Sequence, residues 1–94
     1  MTVTIMISEI DKIKIQEIGK KYDVKKILLF GSSCDPLKES NDIDLAVDGI
    51  PDSLFFKFYG DLIFSLSKPV DLVDLSKDSL FNKILYTEGI LLYD

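Results

Sequence analysis

Two aspartates one residue apart, Asp42 and Asp44, are the first candidates for chemistry in this 94-residue chain. They open a segment, Asp42 to Asp48, whose alternation predicts a β-strand with Ile43, Leu45 and Val47 on one face and Asp42, Asp44 and Ala46 on the other. A period of two puts both carboxylates on the same face, with Cα atoms roughly 6.5–7 Å apart. Like charges so placed repel each other and lose solvation when partly buried, and a cation between them is the usual compensation. Hard divalent cations take oxygen ligands, and Mg²⁺ commonly uses one or two carboxylates together with substrate phosphates. Asp71 is the third candidate. It interrupts the apolar strand Val70-Asp71-Leu72-Val73-Asp74-Leu75, and it completes a cluster of three carboxylates if that strand lies beside 42–48. An isolated Asp-x-Asp pair more often decorates a solvated strand face. Asp48 and Asp74 read that way, Asp74 as a strand-end or helix-capping group.

A second element shifts the balance toward a site. Phe30-Gly31-Ser32-Ser33 follows the apolar run Lys25 to Phe30 at once and lies just ahead of the acidic pair. Glycine lets backbone approach a phosphate closely, and serine hydroxyls and exposed N–H groups donate to its oxygens. The chain has no histidine, which excludes Ser-His-Asp catalysis and His-based zinc sites, so any metal must be held through oxygen. Its one cysteine, Cys34, excludes an internal disulfide and has no histidine to activate it; it fits a reducing cytoplasm.

These residues need elements to position them. Ser8 reads as the N-cap of an amphipathic helix over about 8–21, with Ile10, Ile13, Ile15 and Ile18 recurring between charges and Gly19 near its end. Residues 1–7 could form a short strand or an ordered lead-in. A strand over 25–30 and the strand 42–48 follow, then a turn at Gly49-Ile50-Pro51-Asp52 and a second helix over 53–67, loosened by Gly60. Pro69 precedes the strand 70–75; a helix over about 76–87 and a short strand, Ile90 to Tyr93, close the chain. This order predicts an α+β fold (an α/β sandwich), a mixed sheet with helices on one face, in a single domain spanning 1–94. Phe55, Phe56, Phe58, Tyr59 and Phe64 cannot all face inward on one helix, so at least one is expected to reach a partner or ligand.

The bulk composition agrees with one compact domain: 47% of residues are hydrophobic and the mean hydropathy is +0.20. A net charge of −5 argues against a protein that grips nucleic acid by general electrostatic attraction. No signal-peptide pattern and no apolar run of membrane-spanning length is present, and a cytoplasmic location is expected.

The combination of strand, Gly-Ser turn, Asp-x-Asp strand and a later aspartate in an apolar strand resembles the nucleotidyltransferase superfamily that includes DNA polymerase beta and kanamycin nucleotidyltransferase. Within it, the likeness is closest to the minimal, single-domain prokaryotic members, the MNT group. It is carried by Leu28-Leu29-Phe30-Gly31-Ser32, by Ser40-Asn41-Asp42-Ile43-Asp44-Leu45-Ala46-Val47, by Val70 to Leu75, and by the ending Glu88-Gly89-Ile90-Leu91-Leu92-Tyr93. The resemblance implies that Asp42 and Asp44, with Asp71, hold Mg²⁺ against the triphosphate of an NTP substrate, in a two-metal mechanism. It implies further that Gly31 and Ser32, with Ser33, cradle the phosphates and that Asp71 helps deprotonate the attacking hydroxyl, with pyrophosphate leaving. The sequence departs from the family pattern after Ser32. Where relatives carry a Ser-Arg-Ala-Arg-Gly stretch, this chain has Ser33-Cys34-Asp35-Pro36-Leu37-Lys38, without Arg or Gly. Lys38 then supplies a point charge rather than a bidentate fork, which implies reduced NTP affinity or rate.

Members of this size are often encoded beside a HEPN-domain protein, some as toxin–antitoxin pairs. The implied activity is AMP transfer from ATP to a tyrosine of that partner, with the aromatic 55–64 segment and the apolar C-terminal segment as its docking surface. The alternative is a catalytically weak or inactive module of the same fold that neutralises a HEPN partner by occlusion. A fragment of an Asp-x-Asp glycosyltransferase explains neither Gly31-Ser32 nor Asp71. A homodimer in the partner's absence is a further expectation.

Overall fold

A computed structural model describes residues 7–30, 42–77 and 80–94. The described elements run α1 (Glu9–Lys21), β1 (Lys26–Phe30), β2 (Ile43–Asp48), α2 (Asp52–Ser65), β3 (Val70–Asp74), α3 (Leu80–Glu88) and β4 (Ile90–Tyr93). Residues 1–6 of the expected lead-in, and Gly31 to Asn41, lie outside the described residues.

The local signals in α1 act as expected. The Ser8 hydroxyl accepts from the Asp11 N–H at 3.1 Å, which satisfies one of the amides a helix start leaves unpaired. At the other end Tyr22 is the C-cap, and Asp23 takes a left-handed conformation (φ 54°). The N–H of Asp23 bonds Lys20 O and that of Val24 bonds Gly19 O, a Schellman closure followed by the buried Val24. Gly19 serves packing as well: a Cβ there would meet Ile27 Cδ1 at 2.9 Å and the Tyr93 ring at 3.1 Å, so α1 lies almost directly on β1 and β4.

The strands form one mixed sheet in the order β3-β2-β1-β4. β1 is antiparallel to both β2 and β4, whereas β2 and β3 are parallel and joined by α2. The turn between β2 and α2 needs Gly49, whose φ is 86° and whose missing Cβ leaves room for the Lys25 backbone. Alternation then sorts the two faces. Ile27, Leu29, Ile43, Leu45, Val47, Val70 and Leu92 form the main core with Ile15 and Ile18 of α1 and Phe58 and Leu62 of α2. The opposite face carries a smaller cluster of Leu28, Ala46 and Leu75, and α3 lies against β1. The α+β class and the mixed sheet are therefore as expected, with α1 and α2 sharing one face.

Polar ties fasten the helices to each other and to the sheet. Asp11 is 3% exposed, and its carboxylate accepts from the N–H and the hydroxyl of Ser67, at 3.2 and 2.5 Å. That bond clips α1 to the short connection between α2 and β3. Gln16 Nε2 donates to Leu92 O at 3.0 Å. Tyr22 donates its phenolic proton to Asp61 at 2.7 Å and Lys21 reaches the same oxygen at 3.0 Å, while the Tyr22 ring meets Phe58 edge-on at 5.4 Å.

Two expectations shift. Gly60 does not loosen α2, which runs unbroken from Asp52 to Ser65. The helix expected from residue 76 begins at Leu80 among the described residues. Residues 75–77 turn instead, because Asp74 Oδ1 accepts from the N–H and hydroxyl of Ser76 and Asn82 Nδ2 donates to Asp74 O at 3.1 Å and to Lys77 O. Of the α2 aromatics, Phe58 is fully buried, whereas Phe56 and Phe64 are 81% and 94% exposed.

Replacing Asp11 with alanine leaves Ser67 without its buried acceptor and is expected to lower stability by about 1–3 kcal/mol. In urea titration the midpoint should fall at unchanged slope, with Asp11→Asn losing less because one acceptor oxygen remains. The Tyr22–Asp61 bond has its own pH signature. Hydrogen bonding to Asp61, then desolvation and the Asp61 charge, push the Tyr22 phenol up to about 12. The same bond, followed by that from Lys21, holds the Asp61 carboxyl below its ordinary value. Folding stability from Asp61 is present above about pH 4 and is lost as pH falls through its lowered pKa. That from Tyr22 is full below about pH 10 and is lost as pH rises toward its raised value. Phenolate absorbance should show one of the four tyrosines ionising late, and Asp61→Asn should bring it back toward the others.

Candidate functional site

The acidic residues come together because β2 and β3 pair in parallel. The register sets Ile43 against Val70, Asp44 against Asp71 and Leu45 against Leu72. Side chains at paired positions project from the same face and adjacent strands lie about 4.8 Å apart, so the carboxylates of Asp44 and Asp71 are neighbours. On the other side Asp44 pairs with Phe30 of β1, the residue that leads directly into Gly31. Asp44 thus stands between an aromatic ring and a second carboxylate, half-buried, on the face away from α1 and α2. Asp71, on the edge strand, is exposed, and Asp42 is exposed just before β2 begins.

This setting disfavours a charge on Asp44. Its carboxyl is raised above the ordinary aspartate value, first by burial, then by the charges of Asp71 and Asp42, and by a hydrogen bond with the Asp71 carboxylate. Asp44 and Asp71 therefore stand at paired positions of adjacent strands, and the charges of both Asp71 and Asp42 act on Asp44. Among the described residues, no three His, Cys, Asp or Glu side chains converge closely enough to form a preformed metal cage. The donor set still suits a hard cation: Mg²⁺ uses one or two carboxylates completed by water and substrate phosphate rather than an all-protein shell.

Of the expected site residues, Asp44 and Asp71 are thus brought side by side and Asp42 lies near them. Gly31, Ser32, Ser33 and Lys38 lie outside the described residues. Asp48 and Asp74 end their strands, as the sequence suggests; Asp74 is engaged with Ser76. Two groups near this framework carry no advance signal of their partners. Tyr59, read among the α2 aromatics, donates its phenol proton to Val70 O at 2.7 Å. Asp11, three residues after the capping Ser8, is the buried acceptor for Ser67; the Ser-x-x-acidic spacing marks the helix start and nothing local marks the distant serine.

A carboxyl titration of the metal-free protein, read by NMR, should place Asp44 above an ordinary aspartate. Asp71→Asn should lower it only part of the way, since burial remains the larger cause. An unaltered Asp44 titration in that variant would show that the two groups do not sense each other.

The comparisons with known proteins follow the same lines. The family described as "Polymerase beta, Nucleotidyltransferase" matches residues 13–94. No curated protein sequence matches significantly. Among solved structures, a toxin–antitoxin complex with AMP-PNP is similar at 28% identity and TM-score 0.71, over 86% of this chain and 71% of that one. The toxin–antitoxin MntA-HepT is similar at 25% identity and TM-score 0.68, over 90% and 71%. A structure of the tri-AMPylated Shewanella oneidensis HEPN toxin with its MNT antitoxin is similar at 27% identity and TM-score 0.67, over 87% and 68%. From residue 13 to its end, then, the chain belongs to the polymerase beta nucleotidyltransferase family, and its structural likeness runs to the minimal, antitoxin members.

Proposed function

We propose that this chain is a Mg²⁺-dependent nucleotidyltransferase that moves AMP from ATP to a hydroxyl, a tyrosine of a HEPN-type partner protein, and so acts as the antitoxin of a toxin–antitoxin pair in the cytoplasm. The observation that carries this reading is the register of β2 with β3, which pairs Asp44 with Asp71 on the sheet face away from α1 and α2. The family match supports the reaction class. The AMPylated HEPN toxin held by a similar MNT antitoxin supports the acceptor, and the similar complex with AMP-PNP supports the nucleotide. The α1, α2 and sheet core, which links both ends of the described chain, supports a single domain over 1–94.

In this reading Asp42, Asp44 and Asp71 hold Mg²⁺. When bound, the ion neutralises charge on the triphosphate and makes pyrophosphate a better leaving group. Gly31, Ser32 and Ser33 donate to the phosphate oxygens, and Lys38 adds a positive charge. The acceptor oxygen attacks the α-phosphorus as the bond to the bridging oxygen of the β-phosphate breaks. Its proton passes to the exposed carboxylate of Asp71, which is the more accessible base because Asp44 is half-buried and reluctant to carry charge. All eleven basic residues are lysines, so no guanidinium fork grips the leaving group. The chain depends the more on its carboxylate-held cation.

Of the described residues, no helix is long and apolar enough to cross a membrane. The decisive experiment incubates the protein with α-labelled ATP, Mg²⁺ and the HEPN-type protein encoded beside it. Label should appear on a partner tyrosine, and Asp42→Asn or Asp44→Asn should reduce transfer by at least about a hundredfold. Transfer that survives either substitution would overturn the site. Tight binding of the partner with no transfer by the unaltered protein would identify an occluding module instead.

A further inference from the structure

Asp71 stands on an edge strand, and what keeps it abreast of Asp44 can be read from the backbone. The N–H of Ile43 donates to Pro69 O at 2.8 Å and that of Leu75 to Val47 O at 2.7 Å. These two bonds set the phase of the parallel ladder: Pro69, Asp71, Val73 and Leu75 turn their backbone groups toward β2, and Val70, Leu72 and Asp74 turn theirs to the open edge. The Val70 carbonyl is therefore an acceptor on the free edge. Tyr59 of α2 takes it, its phenolic O–H donating at 2.7 Å.

The Val70 carbonyl and the Asp71 N–H belong to one planar peptide unit. The ladder phase directs that N–H at β2, and Tyr59 holds the opposite side, so the plane that carries Asp71 is pinned from both edges. Such a pin has a load to bear. The carboxylates of Asp44 and Asp71 repel when both are charged, and among the described residues β2 is fixed between two strands while β3 is paired on one side only. Repulsion therefore moves β3. Tyr59 resists from a firm base, since the adjacent Phe58 and nearby Leu62 are fully buried in the core and its own ring packs edge-on against Phe55 at 6.2 Å.

We propose that Tyr59 is a positioning residue of the site: its hydrogen bond to the Val70 carbonyl holds the Asp71 peptide in place, so that Asp71 stays within reach of the cation and nucleotide bound at Asp44. This inference rests on the nucleotidyltransferase reading and extends it to a residue that touches neither substrate nor metal.

The test is Tyr59→Phe, which keeps the ring and removes the hydroxyl, with Asp71→Asn beside it. Mn²⁺ serves as the probe ion and AMP-PNP as the nucleotide. Mn²⁺ affinity in the presence of AMP-PNP should fall about tenfold in Tyr59→Phe, as expected of a ligand displaced by a fraction of its productive geometry. Amide exchange at Asp71 and Val73 should speed up, while the amides of Leu29 and Leu45 in the sheet centre keep their protection. A merely structural hydroxyl would instead accelerate all of these amides together and leave Mn²⁺ affinity unchanged, and either result overturns the proposal. If Asp71→Asn weakens Mn²⁺ binding and Tyr59→Phe does not, the positioning role alone fails. If Asp71→Asn has no effect either, the carboxylate site and the role of Tyr59 fall together.

Discussion

Everything proposed for this molecule depends on the parallel pairing that sets Asp44 against Asp71. A slip of one residue would turn Asp71 toward α1 and α2 and bring Leu72 out of the core, because side chains alternate with a period of two. The register is therefore enforced by packing: Ile43, Leu45 and Val47 on β2 and Val70 on β3 must reach Phe58 and Leu62 together. The pairing is also costly in one respect. A carboxyl raised above its ordinary value contributes stability below about pH 4, and that contribution is lost as pH rises through the raised value, so at neutral pH Asp44 weakens the fold. A cation between the two groups removes that penalty, which is why the arrangement makes more sense as a site than as structure.

The rest of the fold supplies what such a strained pair requires. β2 and β3 are joined through α2, so the helix that covers the core also sets the spacing of the acidic strands. The short connection back to β3 is fastened by Asp11 to Ser67, and the edge of β3 is taken by Tyr59. Each tie crosses from a helix to a segment that leads into Asp71. None touches the carboxylates themselves.

How much of this could be read in advance follows from whether its cause is local. Ser8 as a cap, the strand ending at Phe30, the turn at Gly49 and the last strand Ile90–Tyr93 all rest on neighbouring residues, and the structure has them where the sequence implies. The start of α3 was legible only in part, since Asp74 could cap a helix or close a turn, and its bonds to Ser76 select the turn. The strand order and the partners of Asp11, Tyr22 and Tyr59 join residues 11 to 56 positions apart, and no pattern in the chain announces them. The site divides in the same way. Asp-x-Asp and the later aspartate mark themselves by type and spacing, while their juxtaposition is a property of the sheet.

The faces of the sheet also constrain how an acceptor can arrive. Phe56 and Phe64 are on the outer side of α2, and α2 covers the core face. Asp44 and Asp71 project from the other face. The aromatic segment and the carboxylates, which look adjacent in function when read along the sequence, are thus separated by the thickness of the sheet and its helix. A partner that used Phe56 or Phe64 as an anchor would have to reach around the β3 edge to offer a hydroxyl to Asp71. That edge is the short path between the two surfaces, and Tyr59 and Val70 stand on it. Docking on α2 and chemistry at Asp71 are compatible only for a partner that wraps the β3 edge; a compact one would have to sit directly on the carboxylate face.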